Sequence, residues 1–148
     1  MFKNIAVTLD GSDNSKDALA QAVDIAKSSD AKLTLVSVVN ETSYYYMGNT
    51  STVGTSMIPT DFRSTQRKAA QDVLDNAKAY CDQHGVDAEV KVEEGIPKRV
   101  IVDSYGKEKG YDLLVMGKSG VDALSRVIVG STTAYVVRNS DTTVMVVG

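Results

Sequence analysis

Three glycines and the hydroxyls that follow them carry the strongest chemical signal in the chain. Gly117 and Gly120 bracket Lys118-Ser119, nine residues intervene, and Gly130 is followed at once by Ser131, Thr132 and Thr133. Glycine lets a backbone turn sharply and approach a ligand without a Cβ, and the N–H groups exposed by such turns and by a helix start suit an anion. The anion this pattern predicts is phosphate, with Gly130 opening a helix toward it. Ser131 and Thr132 would add hydroxyl donors, and the helix dipole about 0.3 to 1 kcal/mol per favourable charge contact. The same residues also suit plainer duties: Gly117 and Gly120 as turn residues, Ser131 as a helix cap. Lys118, inside the first pair, is a candidate phosphate partner or a solvated loop lysine. Arg126 poses the same choice, and exposure is the expectation for it.

Asp10 is the second candidate. It ends the apolar run Ile5 to Leu9, where a carboxylate could accept hydroxyl hydrogen bonds from a ligand or help hold a metal ion. Its alternative role is to cap the following helix through the turn from Asp10 to Asn14. Two familiar phosphate motifs are absent. Gly117-Lys118-Ser119 looks like the end of a P-loop, but the glycine required five residues upstream is Asp112. A dinucleotide fingerprint fails because Asp10-Gly11-Ser12-Asp13 holds one glycine.

Other reactive residues suit structural roles. His84, the only histidine, precedes Gly85 at a predicted helix end, where the dipole favours it and glycine terminates the helix. Cys81 shares an apolar stripe with Ala70, Val73, Leu74 and Ala77, which fits core packing better than nucleophilic chemistry. Tyr44, Tyr45 and Tyr46 could stack on a base or a partner, or simply sit together in a loop.

These residues need elements to position them. Ile5 to Leu9 reads as a strand, and Ala18, Leu19, Ala22, Val23, Ile25 and Ala26 form one stripe of the helix after it. A strand at Leu33 to Val39 follows, then a helix from about Thr60 to His84 and a strand at Asp87 to Glu93. Pro97 opens the next helix in the favoured first-turn position. A strand at Asp112 to Met116, a helix from near Gly130 and a strand at Thr143 to Val147 complete the series. Strands alternating with helices predict one α/β domain over residues 1–148, a five-stranded parallel sheet with helices on both faces. Ala88, Val90 and Val92 alternate with Glu89, Lys91 and Glu93, so the third strand should lie at an edge. The last strand is nearly all apolar and, if outermost, is an edge that a second copy could cover. Glu41 to Pro59 is longer than an ordinary connection and reads as a lid or a surface loop.

Composition narrows the function classes. A net charge of −3 over 148 residues, without a basic run, argues against nucleic-acid binding. Apolar runs are far shorter than the roughly 20 residues of a membrane span. One cysteine cannot form an internal disulfide, and Asp10 and Gly11 interrupt any signal-like segment, so the expected location is the cytoplasm.

Gly117-x-x-Gly120, nine residues and then Gly130-Ser131 resemble the G-2x-G-9x-G-(S/T) signature of the universal stress protein family, in its ATP-binding subgroup. The resemblance runs from Ile5-Ala6-Val7-Thr8-Leu9-Asp10-Gly11-Ser12 through Glu94-Gly95-Ile96-Pro97 to the final strand. It implies a Rossmann-like sheet of the adenine nucleotide alpha hydrolase type, with strand order 3-2-1-4-5. By position it implies Thr8, Leu9 and Asp10 at the base and ribose, Val38 beside adenine, and Met116, Gly117 and Gly120 bordering ribose and phosphates. Gly130, Ser131 and Thr132 would hold the phosphates, with Lys118 a further contact. ATP is the implied ligand, AMP or ADP the alternatives, and Mg2+ a candidate companion with Asp10 as its ligand.

The function so implied is a nucleotide-dependent stress-response protein, a homodimer through Thr143 to Val147, with at most slow hydrolysis or autophosphorylation, since no general base is legible. A second class is the related ATP pyrophosphatases, whose Ser-Gly-Gly-x-Asp-Ser loop Asp10-Gly11-Ser12-Asp13-Asn14-Ser15 echoes only superficially. A third is a nucleotide-independent, dimeric interaction module of the same fold, against which the intact glycines argue.

Overall fold

The computed structural model describes residues 1–41, 60–107, 110–119 and 128–148. Strands β1 (Asn4–Thr8), β2 (Lys32–Asn40), β3 (Ala88–Gly95), β4 (Leu113–Gly117) and β5 (Thr143–Val147) form one parallel sheet in the order β3-β2-β1-β4-β5. Between them run α1 (Asp13–Ser29), α2 (Thr60–Gln83), α3 (Pro97–Ile101), which continues into a π-helical turn at Val102–Gly106, and α4 (Ser131–Asn139). This is the expected fold and strand order. Crossovers leave β1 toward β2 and β4 toward β5 in opposite directions, so a crevice opens between the carboxyl ends of β1 and β4.

The alternation of side chains along each strand builds two cores. Ile5, Val7, Leu33, Leu35, Leu113 and Val115 face α1 and α2, where they meet Ala18, Ala22, Val23, Leu74, Ala77 and Cys81. Ala6, Val36, Leu114 and Met116 face the other way, onto Ile101, Val102, Tyr105 and Val136. Each fully buried Leu, Ile or Val contributes roughly 1.5 to 3 kcal/mol, which makes the two cores the main support of the sheet.

Edge strand β3 explains its own mixed sequence. Glu89, Lys91 and Glu93 pair in register with Thr34, Val36 and Val38 on the α3 side. There the Tyr105 hydroxyl donates to Glu93 Oε1 at 2.6 Å. Burial pushes the Tyr105 pKa well up, with the Glu93 hydrogen bond adding to it, so the phenol stays a donor. Glu94 turns to the opposite face and pairs with Arg67 of α2 at 3.1 Å.

The helix ends are closed as their residues dictate. At the end of α2, the Val86 N–H donates to the Cys81 carbonyl at 3.0 Å and the Gly85 N–H to the Asp82 carbonyl at 3.1 Å. His84 stacks on Tyr80 with ring centroids 4.1 Å apart, in keeping with its expected place at a helix terminus. Cys81 is fully buried, and that burial raises its thiol from 9.0 to about 11. The boundaries of β1 to β4 shift from expectation by one or two residues, while β5 spans Thr143–Val147 as expected. The Leu9 N–H still bonds the Val36 carbonyl at 2.8 Å, but Asp10 already turns away. The tyrosines at 44–46, Arg126 and most of the Glu41 to Pro59 segment lie outside the described residues.

Candidate functional site

Four pieces of chain meet at the carboxyl end of β4: the start of α1, the turn after β4, the start of α4 and the end of β5. The α1 start is built by Asp10, Gly11 and Ser12. Gly11 has φ +83°, a conformation that favours glycine, and brings the chain round into the helix. Ser12 is the N-cap, its Oγ accepting from the Ser15 N–H at 3.2 Å. Asp10 does not cap the helix itself. Its Oδ1 braces the cap, accepting from the Ser12 N–H at 2.9 Å and the Ser12 hydroxyl at 2.5 Å, and its side chain is exposed to the crevice mouth.

The turn after β4 lies directly on this helix start. A Cβ on Gly117 would stand 2.9 Å from both the backbone carbon and the Cβ of Asn14, so only glycine fits. Ser119 is nearly buried, and its hydroxyl receives the Asn14 side-chain amide at 2.6 Å. The Lys118 N–H donates to the Val147 carbonyl at 2.7 Å, and the Lys118 carbonyl accepts from the Gly130 N–H at 2.9 Å. The Thr133 hydroxyl donates to the Gly117 carbonyl at 2.9 Å. These last two bonds join the two glycine turns at their base and close the excursion between them.

The start of α4 is left with donors. Gly130 sits at the N-cap and supplies no side-chain cap. Its own N–H donates to the Lys118 carbonyl. The first intrahelical bond runs from the Ala134 N–H to the Gly130 carbonyl, so the N–H groups of Ser131, Thr132 and Thr133 have no helical acceptor. Ser131 is exposed and Thr132 half-buried.

Thr8, Val38 and Met116 share the sheet face toward α3 and α4. Thr8 pairs with Val36, and Val7 with Val115, which sets Met116 beside Thr8. The Met116 side chain is buried in the core, so only its backbone borders the crevice. Leu9 is likewise buried, toward α1. Gly120 lies outside the described residues. Lys98 of α3 stands 5.1 Å from the ring centroid of Tyr135 on α4 and joins these two helices across their face of the sheet. A cavity of about 800 Å3 lined by Lys27, Asp30, Thr34, Glu89 and Tyr111 opens at the opposite end of the sheet and shares none of these residues.

A universal stress protein family model matches residues 1–148. The chain belongs to the universal stress protein family. It is 33% identical over 147 residues to a Staphylococcus haemolyticus protein named for this family, covering 99% of this chain and 84% of that one. A counterpart in Staphylococcus aureus strain USA300 matches with the same identity and coverage. Among solved structures, the universal stress protein UspA from Lactobacillus plantarum is 28% identical with a TM-score of 0.81, covering 99% of this chain and 97% of that one. A universal stress protein in complex with cAMP is 27% identical with a TM-score of 0.71, again over 99% and 97% of the two chains.

Within this universal stress domain, the sequence pattern pointed to the glycines and hydroxyls but not to Asn14. Asn14 lies 105 residues from Ser119, and no spacing rule links them. Thr133 was legible only as part of a helix start, although its place three residues after Gly130 is where a hydroxyl can reach back over the preceding turn.

Proposed function

We propose that this universal stress protein binds an adenine nucleotide, ATP by preference with AMP or ADP as alternatives, and acts as a nucleotide-dependent stress-response switch. The observation that carries this reading is the clamped pair of turns: Gly130 and Thr133 bonded to Lys118 and Gly117 beneath three N–H groups without helical acceptors. Those donors, with the Ser131 and Thr132 hydroxyls, suit phosphate oxygens in number and chemistry. The related protein solved with cAMP supports a nucleotide of this class.

Base selectivity follows from strand lengths. The last rung of β1 reaches the Val36 carbonyl, while β2 continues to Asn40. Alternate residues of a strand bond to the same neighbour, so the Val38 N–H and carbonyl point past the end of β1. One donor beside one acceptor matches the N1 and 6-amino edge of adenine and mismatches guanine, whose edge reverses them. Thr8 and Asp10 would meet the ribose. Among the described residues no group of three or more His, Cys, Asp or Glu could hold a metal. Mg2+ would therefore arrive with the phosphates and take at most the Asp10 carboxylate from the protein. Hydrolysis is at most slow in this reading. The working unit is a homodimer joined along β5.

Thermal melting of nucleotide-stripped protein tests the reading. Mg-ATP at about 100 times its dissociation constant should add roughly 2.7 kcal/mol, or about 5 to 10 °C. GTP should give little, and replacing both Ser131 and Thr132 by alanine, which removes their hydroxyls at the start of α4, should shrink the shift. No shift with any nucleotide at millimolar concentration would sink it.

A further inference from the structure

We propose that Asn14 is a positioning residue for the turn after β4, on which the phosphate-binding helix start is seated through Gly130 and Thr133, a role that rests on the nucleotide reading above. Two side chains help fix the segment Gly117 to Ser119: Thr133 bonds the Gly117 carbonyl and Asn14 bonds Ser119. Thr133 belongs to the helix that carries the phosphate donors. Asn14 does not. It reaches from the second residue of α1, across the switch point of the sheet, and fixes the last described residue of the turn.

The contact is closely specified. Asn14 Nδ2 lies 2.6 Å from Ser119 Oγ and 3.5 Å from the Ser119 carbonyl oxygen, while the Asn14 backbone and Cβ fill the space that a side chain at Gly117 would need. Ser119 retains 8% of its exposure and Asn14 is half-buried, so water competes weakly for the bond. The capping of α1 does not use the Asn14 side chain, since Ser12 supplies it. The amide is thus spent on the turn rather than on its own helix. An anion held by a turn gains from having that turn ordered beforehand, because the ordering cost is then met in folding and not in binding.

The consequence is a split between ligands. Losing the Asn14 amide should weaken ligands in proportion to their phosphates and leave the nucleoside part untouched. Titration calorimetry with ATP, AMP and adenosine on the full chain reads this directly. Asn14→Ala should weaken ATP about tenfold, the size of one well-placed hydrogen bond, and adenosine by less than about twofold. Ser119→Ala removes the acceptor of the same bond without adding a charge. It should reproduce the split, weakening ATP more than adenosine, and it carries the test should the Asn14 variant fail to fold. Equal losses for ATP and adenosine, or no loss for either, would overturn the assignment while leaving the nucleotide reading standing. Absence of binding by the unaltered protein would overturn both.

Discussion

At the scale of single residues, the site depends on what is missing as much as on what is present. Gly117 contributes no side chain, and that lets the first turn of α1 lie 2.9 Å from where a Cβ would stand. Gly130 brings no side chain to cap the N–H groups of Ser131 and Thr132. Cys81 shows the opposite case, a reactive group kept inert by its surroundings. Burial is the main cause of its rise from 9.0 to about 11, against an opposing pull from Lys78. The sign of the linkage is fixed by that direction. Below pH 9 the thiol is protonated folded or unfolded. Between pH 9 and 11 the unfolded chain loses the proton while the folded chain keeps it, so stability falls as pH rises. Urea unfolding of the unaltered protein and Cys81→Ala across pH 7 to 11 isolates this contribution, because the Lys and Tyr residues titrate in both. The advantage of the unaltered protein should shrink by about 2 kcal/mol at the alkaline end. A gap constant with pH would mean that the thiol is not desolvated.

At the scale of elements, helix ends position the site and also carry the one backbone strain visible. Asp30 closes α1 at φ 51°, the only non-glycine residue among those described with positive φ. Its carboxylate also sits at the negative end of the helix dipole. Asp30→Gly should therefore stabilise the protein by about 1 kcal/mol. Chemical denaturation checks this, and nucleotide affinity should not change, since Asp30 lies at the amino end of the sheet. The elements themselves were largely legible, because Ala18, Leu19, Ala22, Val23 and Ala26 follow one helical period and Glu89, Lys91 and Glu93 alternate as an edge strand should. The glycine motif was legible in part because Gly117 stands where a Cβ would strike the first turn of α1. What joins the elements was not. Asn14 to Ser119, Thr133 to Gly117 and Tyr105 to Glu93 are contacts between distant stretches of chain. Tertiary packing chooses such partners, and local pattern carries no trace of the choice. The π-helical turn at Val102–Gly106 was missed for a related reason: its extra residue sets Val102 and Tyr105 into the core, whereas periodicity alone suggests an uninterrupted α-helix.

At the scale of the whole molecule, the question is what covers β5. It pairs with β4 on one side only, and no described residue pairs with its other edge. The Val147 carbonyl points to β4, where it accepts from the Lys118 N–H. Because successive residues bond to opposite sides, Val144 and Val146 direct their N–H and carbonyl groups outward. Val146 is also 39% exposed, and Val137 of α4 is 50% exposed, which sets apolar surface beside those free backbone groups. A second copy running antiparallel along this edge would satisfy the backbone and cover the valines, as the homodimer reading requires. Proline separates this from a merely exposed edge. Val146→Pro removes an outward N–H and none of the bonds to β4, so the fold should stand, with an unchanged circular dichroism spectrum. Sedimentation at micromolar protein should then show a dimer for the unaltered chain and a monomer for the variant. A variant that stays dimeric would place the interface elsewhere. Nucleotide affinity measured on the same monomer has a further meaning, because Lys118 bonds both Val147 of the edge and Gly130 at the phosphate helix. If the monomer binds ATP less tightly, reciprocity demands that ATP tighten the dimer by the same factor, and that coupling is what a nucleotide-dependent switch needs.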